Sequence, residues 1–312
     1  MREDVVVVTV EYRTGILGFL SDETKKLPGN IGLTDVVLAL RWVKERVEDF
    51  GGDPNSVTLA GYGQGATIAH LLSLNHLTSS LFNKLILQSS SSVCDGSLSL
   101  PYTATNNHFT SPYYIYRQVL SLTRCRDLRC LQDKSVSELL RAQRELEKKN
   151  VWLSTVFTPM IDNHTRSSPL VDTDPSTITS RLHTRSIPIL LSATHNEGLE
   201  AAARLYLDNQ AAFTSPSSLR KDVLPRLVTS LLGAWRGRQE ALLEAVFRQY
   251  FTELTTGDVA DIITAVGEMI GDLTVHSCMR ETILLHRESN SLFTYIFSHY
   301  GETKPDRKTN RE

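Results

Sequence analysis

The sequence predicts an α/β domain, a doubly wound and mostly parallel sheet with helices on both faces. Three observations carry that prediction. Residues 5–12 form an unbroken β-branched run of the kind that fills strands buried on both faces. Apolar residues then recur at helical spacing and, further on, at strand spacing, in the order strand, helix, strand, helix, strand. Between the second strand and its helix lies the glycine-rich turn Gly61-Tyr62-Gly63-Gln64-Gly65.

Taken in order, the run led by Val5 is expected as a strand and Gly15 to Gly18 as the turn after it. Leu33, Val36, Val37, Leu40, Val43, Val47 and Phe50 fall at three- and four-residue steps, so a helix is expected until Gly51-Gly52 and Pro54 end it. Residues 57–60 read as a short strand, 66–74 as a helix and 84–88 as another strand. The Ser- and Asn-rich stretch from Ser89 to about Pro112 reads as loop. Ser135 and Glu138 form a capping-box pattern opening a helix through Lys149. Residues 187–193 are expected as a strand, 217–287 as mostly helical and 292–297 as the last strand. Periodicity is strongest through Leu242, Ala245, Val246, Gln249 and Tyr250, and again through Val259, Ile262, Ile263, Val266 and Ile270.

Residues 1–300 form one partial domain on this reading. Residues 301–312 hold Glu302, Lys304, Asp306, Arg307, Lys308 and Arg311 without an apolar residue, so a disordered charged tail is expected there. The chain of 312 residues is 41% apolar, which supplies a substantial core, and its net charge of −2 gives no reason to expect nucleic acid as a partner. No signal peptide and no apolar run of membrane-spanning length is read in it. Cys125 and Cys130 are close enough to clip a small loop, and Asn163-His164-Thr165 is a glycosylation sequon; both lean toward an oxidising, extracellular setting. Cys94 and Cys278 have no assigned partner, buried free thiols being an equal reading.

A Gly-x-Gly-x-Gly turn between strand and helix invites a dinucleotide reading. It fails, because the third glycine comes one residue early and no Asp or Glu lies between Asp53 and Asp95 to grip a ribose. The wider motifs point elsewhere. Residues 5–20, Pro28 to Asp35, Ala39 to Val43, Phe50 to Leu59, and Leu87-Gln88-Ser89 together closely resemble the type B carboxylesterase and cholinesterase family. The likeness extends through Cys125 and Cys130, Pro159 to Asp162, Asn196-Glu197-Gly198 and Tyr295 to His299, and so covers nearly the whole chain.

The resemblance implies an α/β-hydrolase fold, incomplete at both ends. It also implies a catalytic plan against which each part is checked. The nucleophile position is Gly63, where the family's elbow carries a serine, and Tyr62 stands before it where glutamate is usual. The triad acid matches Glu197. The family's histidine and oxyanion loop are expected outside this chain, and His299 matches a different position. His70, His76, His195, His276 and His286 are expected to be ordinary surface or core imidazoles. Gln64 and Tyr62 do not replace a serine. The expected function is therefore a catalytically dead domain serving cell adhesion or extracellular recognition, as in neuroligin-, neurotactin-, glutactin- and gliotactin-like members; the competing expectation is a serine ester hydrolase misrepresented at Gly63. A protein partner at the cell surface and a homodimer are expected, with no cofactor and no metal. Neurexin binding is not carried over, since Ala201-Ala202-Ala203 offers no side-chain oxygen for a bridging calcium. An apolar strand at residues 5–12 without its neighbour would make the isolated chain poorly soluble.

Overall fold

The computed structural model describes residues 4–78, 80–94, 96–99, 111–149, 156–178, 186–232, 239–254, 258–287 and 291–299. The expected charged tail at 301–312 lies outside them, as do residues 100–110 of the loop. A small antiparallel hairpin, β1 (Ser21–Thr24) with β2 (Leu27–Pro28), precedes the main sheet. That sheet is four parallel strands in chain order: β3 (Thr58–Tyr62), β4 (Lys84–Gln88), β5 (Ile189–Thr194) and β6 (Leu292–Phe297). Their register aligns the carboxyl ends, with Tyr62 beside Gln88, Gln88 beside Ser192 and Thr194 beside Phe297. Parallel strands need crossovers, and helices supply them. The fold is the expected α/β arrangement of a mostly parallel sheet with helices.

The helices in chain order are α1 (Gly15–Phe19), α2 (Ile31–Arg46), α3 (Gln64–Leu74), α4 (Pro112–Thr123), α5 (Leu128–Gln132) and α6 (Val136–Lys149), then α7 (Leu199–Asp208), α8 (Pro216–Asp222), α9 (Leu224–Leu232), α10 (Gln239–Phe251), α11 (Val259–Gly271) and α12 (Ser277–His286). The capping box is present: the Glu138 backbone N–H donates to Ser135 Oγ at 3.3 Å, and the Ser135 N–H donates to Glu138 Oε2 at 3.0 Å. The Ser135 hydroxyl, donating to Glu138 Oε2 at 2.8 Å, then the Ser135 N–H and the Lys134 ammonium hold the Glu138 carboxyl down at about 2. Helix α2 starts at Asn30, which is buried in a left-handed conformation and clamps Met160 with both ends of its amide (2.7 and 2.9 Å). That clamp joins two of the sequence motifs across the core.

Apolar burial is divided between two clusters. One packs α2, α3 and α4 against the sheet around Leu33, Leu72, Phe82, Leu85, Leu87 and Leu191. The other lies among α7 to α11, around Phe213, Leu224, Ile262, Val266 and Met269. Each is a helix or sheet face removed from water, the main favourable term in folding.

Four expectations are corrected. Residues 5–12 are not a strand: Val5 to Val8 are exposed without ladder partners, and only Val10 and Tyr12 pack partly on the core. β-branched content favours an extended chain, but a strand exists only when neighbouring backbone groups complete its hydrogen bonds. Gly15 to Gly18 belong to the short helix α1 rather than a turn, because the Gly18 N–H returns to the Thr14 carbonyl at 3.2 Å. Phe50 leaves the buried face of its helix. The chain tightens to a 3₁₀ turn at Val47–Phe50, and at three residues per turn Phe50 swings outward to rest on Trp42, 5.8 Å between ring centroids. On α10, Ala245 and Gln249 are exposed; Val246, Phe247 and Phe251 make the packing face.

Candidate functional site

At the carboxyl end of β3 the chain turns sharply into α3. Gly63 takes φ +54° and ψ −124°, a conformation that a side chain makes costly. Its N–H donates to the Gln88 carbonyl at 2.9 Å, holding the turn to the neighbouring strand. Its own carbonyl accepts from Ala66 and Thr67 (2.9 and 3.1 Å), beginning the helix. The three glycines of the turn differ in what they permit. A Cβ on Gly61 would sit 2.2 Å from the Gly65 carbonyl oxygen, so glycine is required there for close approach. A Cβ on Gly63 or on Gly65 would meet nothing within 4 Å. Gly63 therefore aims the place of a side chain into open space while supplying none. Tyr62 is 70% exposed, and Gln64 opens the helix; neither occupies that place.

Glu197 follows β5 and lies at the same end of the sheet. Its Oε1 accepts from Ser89 Oγ at 2.7 Å and from the Thr194 N–H at 2.5 Å. Ser89 is itself a left-handed residue (φ +58°) whose N–H donates to the Ser192 carbonyl at 2.7 Å. The loop is fixed from behind by close helix contact: a Cβ on Gly198 would fall 2.1 Å from the Gly267 carbonyl oxygen of α11. The structure thus brings the elbow and Glu197 to one edge, where ligands of parallel α/β sheets bind. Ser89 as the partner of Glu197 was missed from sequence, although its place directly after a strand was the available signal.

The histidines are distributed without a base for this carboxylate: among the described residues none hydrogen-bonds Glu197. His299 lies exposed past β6, with Phe297 for its ring neighbour. His195 is exposed, and His276 is held between Asp272 Oδ1 (3.0 Å) and the Thr194 carbonyl (3.3 Å). His70 and His286 are core residues, as expected, but they are bonded to each other. Cys125 and Cys130 form a disulfide. Cys94 and Cys278 form a second one, which corrects the reading of free thiols: the fold closes 184 residues of sequence separation that spacing could not reveal. Asn163 is exposed, its Nδ2 donating to the Asp172 carbonyl at 2.7 Å. Among the described residues no group of three potential ligands could hold a metal ion, and no helix is long and apolar enough to cross a membrane.

The sharp strand-to-helix elbow and the acid after a later strand define an α/β-hydrolase. Comparison with known proteins is in accord. The model of the carboxylesterase family matches residues 1–311, and the chain belongs to that family. Among its relatives, juvenile hormone esterase of Heliothis virescens is 33% identical over 63% of this chain and 34% of its own length. Human neuroligin-3 is likewise 33% identical over 63% of this chain, but 22% of its own. Human carboxylesterase 3 is 28% identical over 97% of this chain and 50% of its own, so the chain spans about half or less of the relatives it matches. A solved juvenile hormone esterase from Manduca sexta superposes with a TM-score of 0.72 at 23% identity, covering 94% of this chain and 53% of the other.

Proposed function

We propose that this chain is part of a carboxylesterase-family domain that does not hydrolyse esters and serves extracellular protein recognition. One observation carries the reading. Gly63 holds the elbow's strained backbone, where a nucleophile would gain its exposure, and brings no hydroxyl. Loss of a triad nucleophile lowers turnover on the order of 10⁶-fold. The sequence likeness to neuroligin-3 supports a recognition role, and two disulfides suit an oxidising, cell-surface setting. The partner is a protein at the cell surface, and a homodimer belongs to the same proposal. Treating the complete protein with a fluorescent organophosphate tests it. No covalent label is expected; stoichiometric labelling together with turnover of a short-chain naphthyl ester would overturn it.

An ester hydrolase is the second reading, favoured by Glu197 being anchored on Ser89 and Thr194 in the acid's place and by equal likeness to juvenile hormone esterase. It requires a serine codon at position 63 in the natural transcript. Sequencing that transcript separates the two.

A further inference from the structure

Helix α12 presents Cys278, Thr282 and His286 at four-residue steps along one buried face. Each is tied to a different point on or beside α3. Cys278 is bonded to Cys94 in the loop after β4. Thr282 Oγ1 lies 2.6 Å from Ser91 Oγ. His286 Nε2 lies 2.8 Å from His70 Nε2 on α3. His70 is 0% and His286 2% exposed, so neither ring is solvated.

The protons of this imidazole pair can be placed. Ser92 donates its backbone N–H to His70 Nδ1 at 3.1 Å, so that nitrogen is the acceptor. The His70 proton therefore sits on Nε2 and is donated to His286 Nε2. His286 must then carry its own proton on Nδ1, which is buried without a hydrogen-bond partner. Two protons fill the pair. A third, on His70 Nδ1, would find the Ser92 Oγ at 2.9 Å as an acceptor but oppose the Ser92 N–H; on His286 Nε2 it would face the His70 N–H. Either breaks a buried hydrogen bond and leaves a charge in the core.

Among the described residues no neighbouring carboxylate offsets a third proton, and Arg287, next to His286 in sequence, is exposed. Helix α3 has no charged residue, and His76 beyond it is exposed. On α12, Arg280 and Glu281 pair with each other on the exposed side. Asp272 and His276, on the turn before α12, also pair with each other. Lys84 is exposed at the opposite end of β4. Burial, and for His70 the adjacent His286, holds both imidazoles below their ordinary range, His286 at about 4.

We propose that the His70–His286 pair is an acid-sensitive latch on the last turn of α12, with the Cys94–Cys278 disulfide as the hinge that keeps the helix attached when the latch opens. Strand β6 follows α12 after residues 287–291 and is an edge of the sheet among the described residues, so it is the element freed along with that turn. The latch does not depend on whether the elbow hydrolyses.

Amide hydrogen exchange of the complete protein, read by mass spectrometry between about pH 7 and about pH 4.5 and corrected for intrinsic rates, tests it. Exchange in the last turn of α12 and in β6 should rise at least ~10-fold in acid while β4 and the turn around Cys278 stay protected. The double replacement His70→Phe with His286→Leu removes both titrating rings and should abolish that rise. Unchanged protection in acid, or an equal rise in the double variant, would overturn the latch. Should the double variant not fold, labelled imidazole resonances of the natural protein decide: both buried rings must titrate together with the exchange step, and titration without any change in exchange refutes the proposal.

Discussion

Alanine at each glycine of the elbow should produce three different outcomes, set by one backbone. At Gly61 the new Cβ would lie 2.2 Å from the Gly65 carbonyl oxygen and 2.5 Å from the Ala66 nitrogen. Both are main-chain atoms at the start of α3, so relief requires moving the helix away from β3. Overpacking of a core by a methylene costs about 1–3 kcal/mol when side chains can yield; with backbone on both sides, Gly61→Ala should cost about 3 kcal/mol or more. At Gly63 there is room, with nothing within 4 Å, and the cost is conformational. A residue with a side chain held at φ +54° and ψ −124° carries strain of about 1–3 kcal/mol. At Gly65, inside α3 with ordinary helical φ and open space, alanine removes backbone freedom from the unfolded chain and gains up to about 1 kcal/mol. Urea denaturation of the complete protein and its three variants gives the order directly. The reasoning fails if Gly63→Ala is as benign as Gly65→Ala, since the turn would then lack the strained geometry on which the functional reading rests.

Further outcomes follow from other parts of the molecule. Replacing Cys94 and Cys278 with serine frees a loop closed across 184 residues, for which chain entropy gives a loss of up to about 5 kcal/mol. The same change at Cys125 and Cys130, separated by 5, should cost about 2 kcal/mol; paired melts under non-reducing conditions compare them. Phe82→Ala empties a side chain that is 1% exposed and should destabilise by about 3–5 kcal/mol in the same assay. His286 has a folded pKa of about 4 against 6.5, so between those values the unfolded chain binds more protons. Stability therefore falls as pH drops through that window, at about 1.4 kcal/mol per pH unit from this ring; a melt series with a flat profile from pH 6.5 to 4 would contradict it. Secreted from a eukaryotic cell, the protein should carry a glycan at Asn163, so Asn163→Gln should reduce the mass lost on endoglycosidase treatment by one glycan, since Asn163 is exposed.

The elbow was legible because its information is local. Gly61, Gly63 and Gly65 are spaced by the turn itself, and the strand before and helix after announce themselves within a dozen residues. Strands β4 to β6 and the helix opened by Ser135 were legible for the same reason, each carrying its own period or cap. Residues 5–12 show the limit of that reading. Their composition is right for a strand, yet a ladder is a relation between two segments, and no described segment pairs with them. Phe50 shows a second limit, since one tightened turn rotates a residue off a face that periodicity had assigned to the core.

By itself the sequence determined the family-like motifs, the α/β order and the glycine at position 63 of the elbow, because residue identity and short-range spacing are enough for these. The tertiary structure alone decided that Ser89 holds Glu197, that Cys94 meets Cys278 and that His70 meets His286. Those pairs are separated by 108, 184 and 216 residues. Which distant side chains meet is set by how the sheet and helices pack, and no local pattern encodes it.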